Sequence, residues 1–299
     1  MQWPTDLLGN PVYDSMVLGA ISEGHFEHAF VPIVVHAGGH IGIFRVSQDA
    51  LKIDGVRINV SAILQQQIAD MLGAYLLTPK LLDQLWAQRA VTLTPCTQPS
   101  SSTSAAMIVH SACIDTKLKT QVGADIPADG IVQTVGKTWV ITNALLDHPG
   151  MACNIGWHLE HPMGGGIPFD AAPTLPGAHM IQSPGYRHNA RFLDYCQLVL
   201  VVHRDCVVDG SLNTFAAVAR DPELAPLVNA DGVLKVLRQP GVPELVKPPT
   251  TGPAPLGPAT VALMGVGMGI GAKIAGPPGA VVGGALGLAV DAIRRRLVS

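Results

Sequence analysis

Charge is scarce in this chain of 299 residues: Asp, Glu, Lys and Arg make up 14% of it, and 19 basic against 22 acidic residues leave a formal net charge of -3. A nucleic-acid-binding surface needs a basic face to neutralise phosphates, so no nucleic acid is expected among the partners. Aromatic residues are also few, at 5%, although 48% of the chain is hydrophobic; with 32 Gly and 24 Pro it is apolar without being bulky. No C-x-x-C pair occurs among the five cysteines, Cys96, Cys113, Cys153, Cys196 and Cys206. That argues against a cysteine-rich zinc site and, the number being odd, against a full disulfide framework; at least one thiol is expected to be free. The opening MQWPTDLLGNPVYDS has no basic segment followed by an apolar one, so it does not read as an ordinary secretory signal. Length excludes little, since one large domain or two smaller ones could each bury a substantial core.

What is there reads as α+β. The β-branched runs 31–35, 41–46 and 51–60, separated by HAGGH and DG, predict an N-terminal β-meander with tight turns. Ser61 is placed as the N-cap of a helix whose apolar positions Ile63, Leu64, Ile68, Met71 and Leu72 recur at helical spacing. Pro79 opens a second helix, PKLLDQLWAQRA, in keeping with proline's preference for the first turn. TPCTQPSSSTS reads as a polar surface loop, and apolar spacing predicts a third helix over 103–119. From Ile131 the pattern turns to strands, through GIVQTVGKTWVITN, MACNIGWHLEH, AHMIQSPGYR and LDYCQLVLVVHRDCVVDG. Two short helices are expected after them, SLNTFAAVAR and DPELAPLVN, the second with Asp221 and Pro222 as N-cap and first-turn residues. MGGGIP and HAGGH lack the strand-to-helix setting and the lysine of a phosphate-binding loop, so they read as turns. Trp139 and Trp157 read as core residues.

Three segments follow: a globular body over 1–238, a linker over 239–258 and a tail over 259–299. The linker carries prolines at 240, 243, 248, 249, 253, 255 and 258, a composition that favours extended polyproline II. In the tail, Gly267, Gly271, Ala275, Gly279, Gly283 and Gly287 fall four apart. On a helix that register makes one stripe of small residues, along which another helix can approach closely. Arg294, Arg295 and Arg296 near the end suit anionic headgroups. The tail resembles the glycine-zipper stretches of bacterial envelope and membrane-inserting proteins, which implies membrane association or self-assembly. Lys273, with Pro277 and Pro278, argues against a single span of the roughly 20 residues a bilayer needs. An interfacial or re-entrant helical hairpin turning at GPPG is expected instead, in a protein of the bacterial cell envelope or membrane surface.

The body phrases YLLTPKLLDQLWAQRAVTL, GKTWVITNALL, NIGWH and HNARFLDYCQLVLVVHRDCVVDG resemble an uncharacterised family of bacterial and phage-type proteins. The resemblance covers about 51–233 and brings no activity with it. That family usually has serine where Cys196 stands and histidine where Gln197 stands, so a catalytic histidine at position 197 is impossible in this chain. If the segment is extended throughout, period-two alternation puts His188, Asp194 and Cys196 on one face with Leu198, Leu200 and Val202. A thiolate nucleophile needs a base within hydrogen-bond reach and a group that orients the base. His188 and Asp194 are of the right types, and His158 is a second candidate base. The opposing expectation is a cysteine buried in a strand, where it packs as a small hydrophobe.

Zinc is a second chemistry. His158, His161, His179, His188 and Asp194 are of ligand type, and Glu160 could act as a base. HLEH would present both histidines on one helical face, but its neighbours NIGW and PMGGG argue for a strand, where they diverge. A site of His158, His188 and Asp194 resembles the His, Asp, His sets of zinc peptidases, with order and spacings that match none. Two functions are therefore expected as alternatives. One is a cell-envelope hydrolase, thiol or zinc dependent, cutting peptidoglycan peptides while its tail holds it at a membrane. The other is a non-enzymatic structural or binding component of a bacterial or phage assembly, with the tail mediating subunit packing or membrane insertion.

Overall fold

A computed structural model describes residues 1–123, 127, 130–133, 135–161 and 179–245. The tail at 259–299, most of the linker, and the MGGGIP segment lie outside the described residues.

The chain is mixed α+β, as expected. Helix α1 (Pro11–Ser22) precedes the strands β1 (Phe30–Ala37) and β2 (His40–Ser47), followed by the short β3 (Lys52–Ile53) and β4 (Val56–Arg57). Then come α2 (Ala62–Met71), β5 (Ala74–Leu76), α3 (Pro79–Ala87), β6 (Val91–Thr92) and α4 (Ser104–Val122). The second half contains β7 (Val132–Gln133), β8 (Lys137–Val140), β9 (Met151–Leu159), β10 (His179–Asn189), β11 (Val201–Val208), β12 (Ser211–Thr214) and α5 (Phe215–Arg220).

The helix starts follow capping chemistry. Ser61, Thr78 and Thr103 each turn a side-chain oxygen to a backbone N–H of the first turn of α2, α3 and α4, satisfying donors the helix itself cannot. α1 begins in the same way, with Asn10 accepting from Val12 and Tyr13 ahead of Pro11.

The hairpins follow the glycines. Gly38 and Gly39 both take positive φ between β1 and β2, as Asp54 and Gly55 do between β3 and β4, the pattern of a two-residue I′ turn. The expected meander is thus partly realised: 52–57 folds into its own small hairpin and does not extend the first sheet. The neighbour of β2 is β11, from far along the chain, and β5 and β12 share the other edge of β11. Two expected helices shrink. Residues 211–214 form β12, because Asp209 and Gly210 turn the chain back on β11, and only 215–220 is helical. In 221–229 a single 3-10 turn forms at Ala225–Leu227.

A three-stranded sheet, β10-β9-β8, stands beside the larger one. Gln65 of α2 joins them from within the core: its amide donates to Thr138 Oγ1, Trp139 O and Leu200 O, and its oxygen accepts from Trp139 N at 3.2 Å. The chain stays bound to the body beyond residue 238. Gln239 N donates to Gln66 Oε1 at 2.9 Å, Arg238 pairs with Asp70, and Leu245 N reaches the same carboxylate. No helix among the described residues is long and apolar enough to cross a membrane.

Candidate ligand-binding cleft

The backbone around β8 and β9 is drawn tight by glycine. A Cβ on Gly156 would meet Gly136 O at 2.4 Å, and one on Gly136 would meet Cys196 O at 2.7 Å. Any side chain at either place is therefore excluded by backbone. Lys137 N donates to Cys196 O and Leu198 N to Lys137 O, which clamps residues 196–198 along β8. Directly after Gly156, Trp157 takes φ 54, a left-handed conformation that costs a non-glycine residue about 1–3 kcal/mol. The side-chain alternation of β9 breaks there. Ile155 packs in the main core and His158 against α3, whereas Trp157 and Leu159 join a small separate cluster with Ile181, Tyr195 and Cys196.

Over this part of the small sheet lies a cavity of about 570 Å³. Its floor comes from Lys137 of β8, Asn154 and Trp157 of β9, and Ile181 to Gly185, Arg187 and His188 of β10. Gln98, Ser100, Asp194 and Tyr195 form the facing wall. β10 bends to follow it, with register irregularities on either side of Gly185. The wall is pinned from three directions. Cys96 and Cys113 form a disulfide that ties the 93–102 loop to α4. Gln98 N donates to Tyr195 Oη at 3.0 Å, and Ser101 N to Asp194 Oδ1 at 2.7 Å. The polar surface loop expected here is thus a fixed cleft wall.

Of the four candidate catalytic residues, the structure brings two to the cleft. His188 and Asp194 line it, with His188 stacked on Phe192 at 3.7 Å between ring centres. Burial holds the His188 imidazole below its ordinary value; nearby Lys137 pushes the same way, and Asp194 opposes. The carboxylate of Asp194 also accepts Tyr195 N, so it serves the turn as well as the cleft.

Cys196 is not on a strand. It sits in the turn after Asp194, 1% exposed, beneath the cleft and not in its wall. The expectation of an extended face fails because the chain turns after Asn189 and again at Tyr195, so alternation does not run from His188 to Cys196. Burial pushes the Cys196 thiol up to about 12, outweighing the Lys137 ammonium that lies against it. Cys153 and Cys206 are free and buried too.

His158 stands apart. Its Nε2 is 2.8 Å from Asp83 Oδ1 and its ring stacks on Trp86, both on α3. Glu160 pairs with Arg89 instead of a histidine, and His161 is exposed. The zinc constellation of His158, His188 and Asp194 is therefore not assembled. Among the described residues no three His, Cys, Asp or Glu side chains come together as a metal-holding group.

What the cleft does hold in excess is donors. Trp157 Nε1 and Asn154 Nδ2 are buried with no hydrogen-bond partner among the described residues. Trp157 is buried in a hydrophobic cluster, as expected of a core residue, and is at the same time the strained residue at the cleft; glycine beside a bulky residue inside NIGWH is the signal for the strain, since an interior strand glycine marks close backbone approach. Lys137, Asn154, Arg187 and Tyr195 carried no signal of their own. Compared with family models, curated proteins and solved structures, the chain matches none.

Proposed function

We propose that the body is the recognition module of a cell-envelope-directed bacterial or phage-type assembly, that its target binds in the cleft on the β8–β9–β10 sheet, and that 259–299 supplies membrane contact or self-association. The observation that carries this reading is Trp157: a residue in a costly backbone conformation, at a cavity, with a buried N–H that no described residue accepts. Strain and unmet hydrogen bonding coincide where a ligand can relieve the second. The Cys96–Cys113 disulfide suits an oxidising compartment, in line with an envelope location.

A hydrolase on the same cleft is the second reading, favoured by His188 on its floor and Asp194 on its facing wall. Its nucleophile would be a water deprotonated by neutral His188, because a thiol titrating at about 12 is protonated near neutrality.

One assay separates these readings. The full-length protein is incubated with isolated bacterial sacculi, and both sedimented protein and released muropeptides are measured. Co-sedimentation that is lost in Trp157→Phe, kept in Cys196→Ala and accompanied by no release is the expected result. Sedimentation indifferent to Trp157→Phe sinks the recognition reading. Release abolished by His188→Asn but not by Cys196→Ala replaces it with the water-activating hydrolase, and release abolished by Cys196→Ala reinstates the thiol.

A further inference from the structure

The cleft's polar groups are sorted by kind. On the floor, the two orphaned groups are both donors, the indole N–H of Trp157 and the amide N–H of Asn154, on residues 5% and 1% exposed. Beside them stand two cations, Lys137 and Arg187, neither within ion-pair distance of a carboxylate among the described residues. Lys137 is held at 5.5 Å from the centre of the Trp157 ring, so that positive charge and indole N–H belong to one corner of the cavity. The single acid among the described lining residues, Asp194, already accepts two backbone N–H groups. Among the described lining residues, two cations against one carboxylate leave one positive charge in excess, which a monoanion balances.

The rest of the lining has a different character. Gln98 uses its NH2 on Ala106 O at 2.8 Å, and Gln182 uses its own on Ser183 O at 2.9 Å. Each glutamine keeps one amide N–H and a carbonyl oxygen, and that oxygen can accept a backbone N–H from a ligand. Donors and positive charge at one end, with amide acceptors and the apolar Ile181 and Tyr195 around the rest, are complementary to an amide chain that ends in a free carboxylate. We infer that the cleft binds the carboxylate terminus of a short peptide, its oxygens taken by Trp157, Asn154 and Lys137 and its backbone N–H groups by Gln98 and Gln182.

This ligand assignment rests on the reading of the cleft as a recognition site, and goes beyond it in naming what is recognised. A carboxylate has two oxygens with about four acceptor positions, so the fixed N–H groups and the ammonium can be met together by one group. A phosphate dianion would leave a negative charge unmatched, and among the described residues no helix N-terminus or glycine-rich turn lines the cavity to take it up.

The experiment is a calorimetric titration of the full-length protein with a panel of N-acetyl-alanyl dipeptides covering every second residue, including D-alanine, each as the free acid and as the C-terminal amide. Inorganic phosphate is the anion control. The best acid is expected to bind at least about tenfold more tightly than its amide, as the loss of a charged hydrogen-bonding group implies. Asn154→Asp, which replaces the donor by a like charge, is expected to remove that preference, and Lys137→Gln to reduce it. Thermal melts of both variants identify any that fail to fold; Trp157→Phe, which keeps a ring and deletes only the donor end, provides the independent check.

No acid in the panel binding above its amide overturns the carboxylate assignment, and phosphate binding more tightly than every acid overturns it in favour of an inorganic oxoanion. Either result, alongside sacculus sedimentation that still depends on Trp157, removes the ligand class alone. Sedimentation independent of Trp157 removes the recognition reading itself.

Discussion

At the scale of single residues, burial decides more than identity does. Cys196 has one neighbour that favours its thiolate, a lysine against its sulfur, yet desolvation outweighs it and the nearby carboxylate of Asp194 pushes the same way as desolvation. Cys153 and Cys206 are held at about 12 by burial in the same way. All three thiols are therefore expected to ignore Ellman's reagent at pH 8 and to react together once denaturant unfolds the chain. Rapid labelling of Cys196 in the native protein would contradict that placement.

The buried imidazoles give a second expectation. Burial, above all, lowers His110 and His203 to about 4, whereas an unfolded histidine titrates near 6.5. Between those values the unfolded chain binds more protons than the folded one, so the stability these neutral rings contribute is complete above 6.5 and is lost as pH falls through 4. Urea midpoints should fall over that window, and His110→Gln should make the fall shallower.

Residue roles were the least legible part of the sequence. His188 and Asp194 could be picked by type, but Cys196 and His158 could not be placed, because each depends on a turn or a torsion that composition does not encode. Asn154 matters through a partner that its amide N–H lacks among the described residues, and a lack of that sort exists only in three dimensions.

At the scale of elements, the sequence was read well wherever local chemistry acts alone. Ser61, Pro79 and Thr103 marked helix starts correctly, and HAGGH marked a hairpin. It was read badly where a distant segment competes: β12 took four residues from an expected helix because β11 offered an edge to pair with. Tertiary contacts override propensity in such cases.

The most connected small element is the β3–β4 hairpin, held by the wholly buried Arg57. Its guanidinium grips Asp49 through Nε at 3.0 Å and Nη2 at 2.6 Å, and reaches Asp115 of α4 at 2.6 Å. Arg57→Ala is expected to cost about 3 kcal/mol in chemical denaturation, because it leaves the largely buried Asp49 without its guanidinium beside a void, while Asp115 keeps Lys52. The Cys96–Cys113 bridge closes a loop with a sequence separation of 17, for which chain entropy suggests about 3 kcal/mol. Reduction should lower stability by that order. It should also weaken binding in the cleft, whose wall hangs from the same loop, and titration before and after treatment with a phosphine reductant would check both.

At the scale of the whole molecule, the described core contains elements from both halves of the chain, and residues 239–245 strap onto it through Gln66, Asp70 and Met151. The body's stability is therefore expected to be independent of the tail. Removing 259–299 should leave the thermal midpoint unchanged and abolish co-flotation with vesicles containing anionic lipid. A midpoint lowered by several degrees would mean that the tail packs on the body.

One torsion has a consequence that reaches across these scales. Because Trp157 is left-handed, the chain turns the indole toward the cleft and His158 toward Asp83 and Trp86. With an ordinary strand torsion at 157 the two would exchange sides, and the histidine would stand with His188 and Asp194. Two chemistries are thus written in the same side chains, a donor pocket and a histidine-rich one, and a single rotation of the main chain selects between them. A β-branched residue, which strongly resists the left-handed region, is the lever on that selection. In Trp157→Val, loss of the His158 contact with Asp83, followed by its imidazole resonances, would reveal a dormant alternative site within the same fold.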